Sequence, residues 1–176
     1  MTRTRDVATQ GGLVLLNTTT FSAQSTVSFN NVFNATYANY KVMYNQTAQS
    51  ATSEIYLRLR NAGADRTTSV YFNSTQGLNY LNATVNSTGL SSVGNLNIGY
   101  IGYGDQNRNS LDFFDPFDAT QHTVINGNAN GTTGAGSPFA ANTGIFYQNL
   151  NSNDGFTIYT GAGTISGTIR IYGYRN

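Results

Sequence analysis

The stretch EIYLRLR, Glu54–Arg60, decides how the whole chain is read. Ile55, Leu57 and Leu59 fall on one side of an extended backbone. Glu54, Tyr56, Arg58 and Arg60 fall on the other. A period of two marks a strand with one dry face and one wet face. A helix would need its apolar residues three and four apart.

The same alternation recurs on both sides of this stretch. It appears at Gly12–Asn17, Thr26–Phe29, Tyr40–Asn45, Ser69–Asn73 and Leu96–Tyr103. It continues at Ser110–Phe114, His122–Asn126, Gly144–Leu150, Gly155–Thr160 and Thr164–Tyr174. Clusters of Gly, Asn, Asp and Ser separate these runs and supply turn conformations. Thr, Asn, Gly and Ser are poor helix formers and interrupt every window long enough for a helix. The pattern predicts an all-β fold of about ten short strands: a sandwich, a jelly roll or a barrel. NSNDGF, Asn151–Phe156, predicts a hairpin, because an Asp-Gly step separates two aromatic-rich runs. GNANGTTGAGSP, Gly127–Pro138, predicts a long surface loop. Residues 12–176 are expected to form one domain. Residues 1–11 carry no pattern and read either as an N-terminal arm that docks on a neighbour or as a frayed end.

Composition narrows function by exclusion. Charged residues make up 10% of the chain, against about 25% in ordinary globular proteins. Asn, Thr, Ser and Gly take their place. With 39% hydrophobic and 12% aromatic residues, the chain has the means to build a core, which disordered segments lack. A net charge of +1 provides no field for nucleic acid or an anionic membrane. The apolar run Leu13–Leu16 is too short for a secretory h-region, and no stretch approaches a membrane helix. There is no cysteine, so disulfides and thiolate chemistry are excluded.

Candidate chemistry is sparse. The single histidine, His122, lies on an alternating run and reads as an ordinary strand residue. Asp112, Asp115 and Asp118 recur every three residues in DFFDPFD. They are candidate calcium ligands or a glycosidase pair. The favoured reading is a turn started by the Asp115–Pro116 step and anchored by Phe113, Phe114 and Phe117. The glycine-rich Gly127–Gly136 has no lysine and is not a phosphate loop. Seven N-x-[ST] sequons follow from the abundance of Asn and Thr. No cofactor is expected.

Surface recognition is the class that remains. Tyr gives rigid amphipathic contact area, and small polar residues adapt to a partner. Two strand faces are candidates: Tyr56 with Arg58 and Arg60, and Arg170 with Tyr172 and Tyr174.

Four stretches, in order, also resemble a family. They are GGLVLLNTTTFSAQSTVSFNNVFNATYANYKVMYN (Gly11–Asn45), SEIYLRLRNAGAD (Ser53–Asp65), SLDFFDPF (Ser110–Phe117) and GTISGTIRIYGYRN (Gly163–Asn176). Together they resemble a module of tailed-bacteriophage virion proteins, notably from marine and cyanobacterial phages. The resemblance implies an antiparallel β-sandwich of jelly-roll type, commonly trimeric, in a tail fibre, head fibre or capsid decoration. It implies a non-enzymatic protein located in the virion. Its partners would be itself as a homotrimer, other virion proteins through the arm, and a host glycan. It carries over no catalytic residue. Within GTISGTIRIYGYRN, Ile165, Ile169 and Ile171 share a face with Gly167 and Gly173. This predicts a central or near-central strand that closes the sandwich, with its glycines making room for bulky neighbours or marking bulges. Only Arg175 and Asn176 are expected to lie free beyond it.

Overall fold

The computed structural model describes residues 12–81, 85–98, 106–132 and 137–175. Every regular element among them is a strand. In chain order these are β1 (Leu13–Gln24), β2 (Thr26–Phe29), β3 (Asn39–Gln49), β4 (Ile55–Asn61), β5 (Ala64–Asp65) and β6 (Tyr71–Asn79). Next come β7 (Val85–Val93), β8 (Leu96–Asn97), β9 (Asn107–Phe114) and β10 (Thr123–Thr132). The last are β11 (Pro138–Tyr147), β12 (Gly155–Thr160) and β13 (Ile165–Tyr174). An eight-stranded sheet runs β1-β13-β3-β9-β10-β11-β6-β7. A five-stranded sheet runs β2-β12-β4-β5, with β8 also on β4. All pairings are antiparallel. The all-β sandwich expected from the alternation is what the chain forms. No helix among the described residues is long and apolar enough to cross a membrane.

The sheets meet through their alternating apolar faces. Ile55, Leu57 and Leu59 of β4 and Ile165, Ile169 and Ile171 of β13 are all fully buried in one core. Phe33, in the connection from β2 to β3, packs against Tyr40 at 4.7 Å, Phe113 at 5.1 Å and Phe156 at 5.8 Å. Its ring therefore touches both sheets. Tyr71 joins the sheets by hydrogen bonds: its hydroxyl accepts from Leu59 N (3.1 Å) and donates to Arg66 O (2.8 Å). Pairing of this kind offsets the cost of burying a hydroxyl.

The structure departs from expectation at five points, besides the place of β13 in its sheet. Gly127–Thr132 is strand rather than loop, paired with β9 and β11; residues 133–136 lie outside the described residues. Gly127, Ala129 and Gly131 occupy the inward positions, so the period of two is present without bulk. A Cβ on Gly127 would stand 2.5 Å from Leu111 Cδ2 and 2.9 Å from Thr143 Cγ2. The segment Asn151–Phe156 is a crossover and not a hairpin, because β11 and β12 belong to different sheets. Gly155 serves close approach there: a Cβ would lie 1.9 Å from Phe29 O. Asp154 fixes the crossover by donating from its amide to Arg60 O (2.9 Å) and accepting from Val32 N and Phe33 N (2.8 and 3.0 Å). Of Leu96–Tyr103, only Leu96–Asn97 is strand among the described residues, and residues 99–105 lie outside them. Strands β5 and β7 were not expected, because NSTGLSS in β7 has no apolar alternation. Arg175 is not free: its amide donates to Gly12 O (3.0 Å).

Strand β13 is paired on both sides, between β1 and β3, but it stands second from the edge of the larger sheet and not near its centre. Each of its glycines takes one of the expected roles. A Cβ on Gly173 would strike the Tyr37 ring at 2.5–2.7 Å, so Gly173 makes room. Gly167 adjoins a register shift opposite β3 and marks a bulge. Residues 1–11, the expected arm, lie outside the described residues.

Candidate outer-face sites

Because the buried faces of β4 and β13 share one core, their other faces point in opposite directions. The two Tyr–Arg candidates are therefore on opposite sides of the sandwich and form no common site.

On the five-stranded sheet the arginines are engaged with their neighbours. The Arg58 guanidinium lies 4.8 Å from the centre of the Tyr159 ring and donates from Nε to Gly94 O (3.0 Å). The Tyr56 ring packs on Tyr159 at 5.3 Å, and its hydroxyl donates to Glu54 Oε2 (2.6 Å). Arg60 donates to Asn30 Oδ1 (2.9 Å) and Thr157 Oγ1 (2.8 Å), and it pairs with Asp65 and with Gly63 O. Five donors in a planar fork suit this kind of multipoint bracing. The Arg60 side chain is only 11% exposed.

On the eight-stranded sheet the register sets the outer side chains in rows. One row crosses Leu15, Tyr172, Lys41, Asp112, Asn126, Gly144 and Ser74. The next crosses Thr18, Arg170, Met43, Ser110, Asn128, Asn142 and Gln76. Asp112 joins the two halves of this face. It accepts from Lys41 Nζ (3.0 and 3.2 Å) and from the Tyr174 hydroxyl (2.5 Å). Burial pulls the Lys41 pKa down, but the hydrogen bond and charge of Asp112 outweigh it and hold Lys41 above its usual value. Burial, then the Asp112 hydrogen bond, raises Tyr174.

Beside Asp112 lies an open depression of about 470 Å³, lined by Ser74, Gln76, Asn126, Asn128, Asn142 and Gly144 among others. A second depression of about 480 Å³ adjoins it, with Phe72, Val124, Leu90 and Phe146 on its walls. They share Ser74, Asn126 and Gly144. Together they form a trough across the strands, with an amide half and an aromatic half. Gly144 keeps its floor low, since the nearest atom to an added Cβ would be Asn126 Oδ1 at 3.9 Å. None of these lining residues except Asp112 was singled out in the sequence. They come from five strands, β6, β7, β9, β10 and β11, and only the alternating Asn126, Asn128 and Asn130 hinted at an amide-bearing face.

The three aspartates do not form one cluster: Asp115 and Asp118 share a depression on the turn after β9, and Asp112 is engaged elsewhere. Asp112 is bound to Lys41 and Tyr174, as above. Asp115 has a φ of 51° and its amide donates to Ala38 O (3.1 Å). Asp118 accepts from Thr120 N and Oγ1 (2.8 and 2.7 Å), which lowers its pKa. Among the described residues, no three His, Cys, Asp or Glu side chains are grouped to hold a metal ion. His122 packs on Phe146 at 4.9 Å, beside the trough. No family model matches the chain, and no curated protein matches it.

Proposed function

We propose that this chain is a non-enzymatic surface protein of a bacteriophage particle, a knob that decorates and stabilises the particle or heads a short fibre. The setting comes from the resemblance in the sequence. The observation that carries the role is the outer face of the eight-stranded sheet. It is a broad array dominated by amides and hydroxyls in register; among the described residues its charged groups are the paired Lys41 and Asp112, with Arg108 and Arg170 beside them. Such a surface suits many small contacts, each worth about 0.5–1.5 kcal/mol.

The winding is of jelly-roll type in this reading. Successive strands β1 and β2 lie in different sheets, and the late strands β13 and β12 pair with them in turn. Strands β3 and β4 then pair on the other sides of β13 and β12.

In this reading the homotrimer forms through the β1 edge. Leu13 and Leu15, 44% and 55% exposed, stand opposite Tyr174 and Tyr172, and Met43 lies one row on. An exposed apolar block of this kind favours self-association. Light scattering on the full chain tests this: a trimer is expected, with Leu15→Lys shifting it to monomer. Immunogold labelling of the particles tests the setting. Label on capsid or tail supports the proposal, and unlabelled particles overturn it.

A further inference from the structure

We infer that the trough on the eight-stranded sheet is a binding site for a neutral oligosaccharide. The inference rests on the proposed binding role of that face and assigns it a ligand class and a place.

Three features converge on this occupant. The first is two-sidedness. A pyranose ring has an apolar C–H face and a rim of hydroxyls. The trough offers Phe72 and Phe146 on one side, with Phe146 38% exposed, and Asn126, Asn142 and Gln76 on the other. Amides both donate and accept, as hydroxyls do. Ligand sites commonly combine apolar walls with a few directed polar groups.

The second is charge. Among the described residues Asp112 is the only ionisable group on the trough walls; Lys41 neutralises it and the Tyr174 hydroxyl donates to it. An anionic polymer would call for uncompensated cations, which these walls lack.

The third is direction. From Asp112 through Asn126 and Gly144 to Ser74 the trough crosses four strands. At about 4.8 Å per strand spacing this is about 14 Å, room for a short oligosaccharide with a polar group at each step. A peptide would instead run along a sheet edge to use the backbone ladder.

The experiment is a titration of the ¹⁵N-labelled full chain with maltohexaose, cellohexaose and mannohexaose, followed by amide resonances and by product analysis. At least one sugar should shift the signals of Ser74, Asn126 and Gly144 and be recovered intact. Asn126→Ala should weaken that binding by about tenfold, the effect of losing roughly 1.4 kcal/mol. Gly144→Val, which raises the floor, should abolish it. Asn126→Ala replaces an exposed side chain and keeps the test valid should Gly144→Val fold poorly. Silence from all three sugars, shifts confined to the Tyr56–Tyr159 face, or unchanged affinity in Asn126→Ala overturns the site and leaves the virion role standing. Cleavage of a sugar overturns the non-enzymatic reading itself.

Discussion

Arg60 and Asn126 both occupy outward-facing strand positions, yet their side chains meet different fates. Arg60, on the five-stranded sheet, reaches back over its neighbours and braces β2, β5 and β12. Asn126, on the eight-stranded sheet, is exposed on the trough floor. A long cation on a flexible stem can fold down onto nearby acceptors. A short amide on an extended strand projects outward. Residue types that look like recognition groups in a sequence are therefore consumed by structure on one face, while the plainer residues of the other face stay available.

Removing residues 163–176 should break both faces at once. Strand β13 supplies three fully buried isoleucines and pairs on both sides. Their loss exceeds what a domain with about 5–15 kcal/mol of stability can absorb. No cooperative melting transition is expected by circular dichroism. A truncated protein that melts cooperatively would show that the two faces have separable cores.

Alkali is the next largest perturbation. Burial raises the pKa of Tyr44 and Tyr71 far above the ordinary value of 10.0 and raises Tyr40 as well. A raised folded pKa gives stability that is complete below the unfolded value and is lost as pH rises through the folded one. The protein should therefore hold its stability to about pH 10 and unfold above it, with tyrosinate absorbance appearing together with loss of circular dichroism. Tyr174→Phe should retain this behaviour, because the main contributors lie in the core. Gradual tyrosinate formation in a still-folded protein would contradict it.

Arg60→Ala tests the comparison directly. It removes the charge-assisted bonds to Asp65, Thr157 and Asn30, leaving Asp65 only the Thr157 hydroxyl as donor, and should cost about 2–3 kcal/mol in urea denaturation. Arg60→Lys should recover only part of this, since an ammonium cannot reproduce the fork. A cost below about 0.5 kcal/mol would place Arg60 among ordinary surface residues. The smallest effect belongs to the other face. Asn126→Ala and Asn142→Ala should stay within about 0.5 kcal/mol of the parent, so any change in binding would be separable from folding.

Much of the fold was legible because alternation survives in the residues themselves. Strands β2 and β12 stand where the pattern placed them, and β4 is offset by one residue. The alternation was hidden where inward positions are small: Gly127, Ala129 and Gly131 keep the period of β10 without apolar bulk. In Asn151–Phe156 the Asp-Gly step looked like a tight turn, but the constraint on Gly155 comes from Phe29 O of another strand. The trough was not legible, since its walls join β6, β7, β9, β10 and β11.

By itself, the sequence determined that the chain is all-β, which side of each well-patterned strand is dry, and that β13 is paired on both sides. These follow from side chains alternating along one strand, a property local to a few residues. Only the tertiary structure decided which sheet each strand joins, that the two Tyr–Arg faces lie back to back, and that Asp112, Asn126, Gly144 and Ser74 form one line. Those facts depend on register between strands distant in the chain, and register is set by the shared core and by close approaches such as Gly155 on Phe29, which no local pattern encodes.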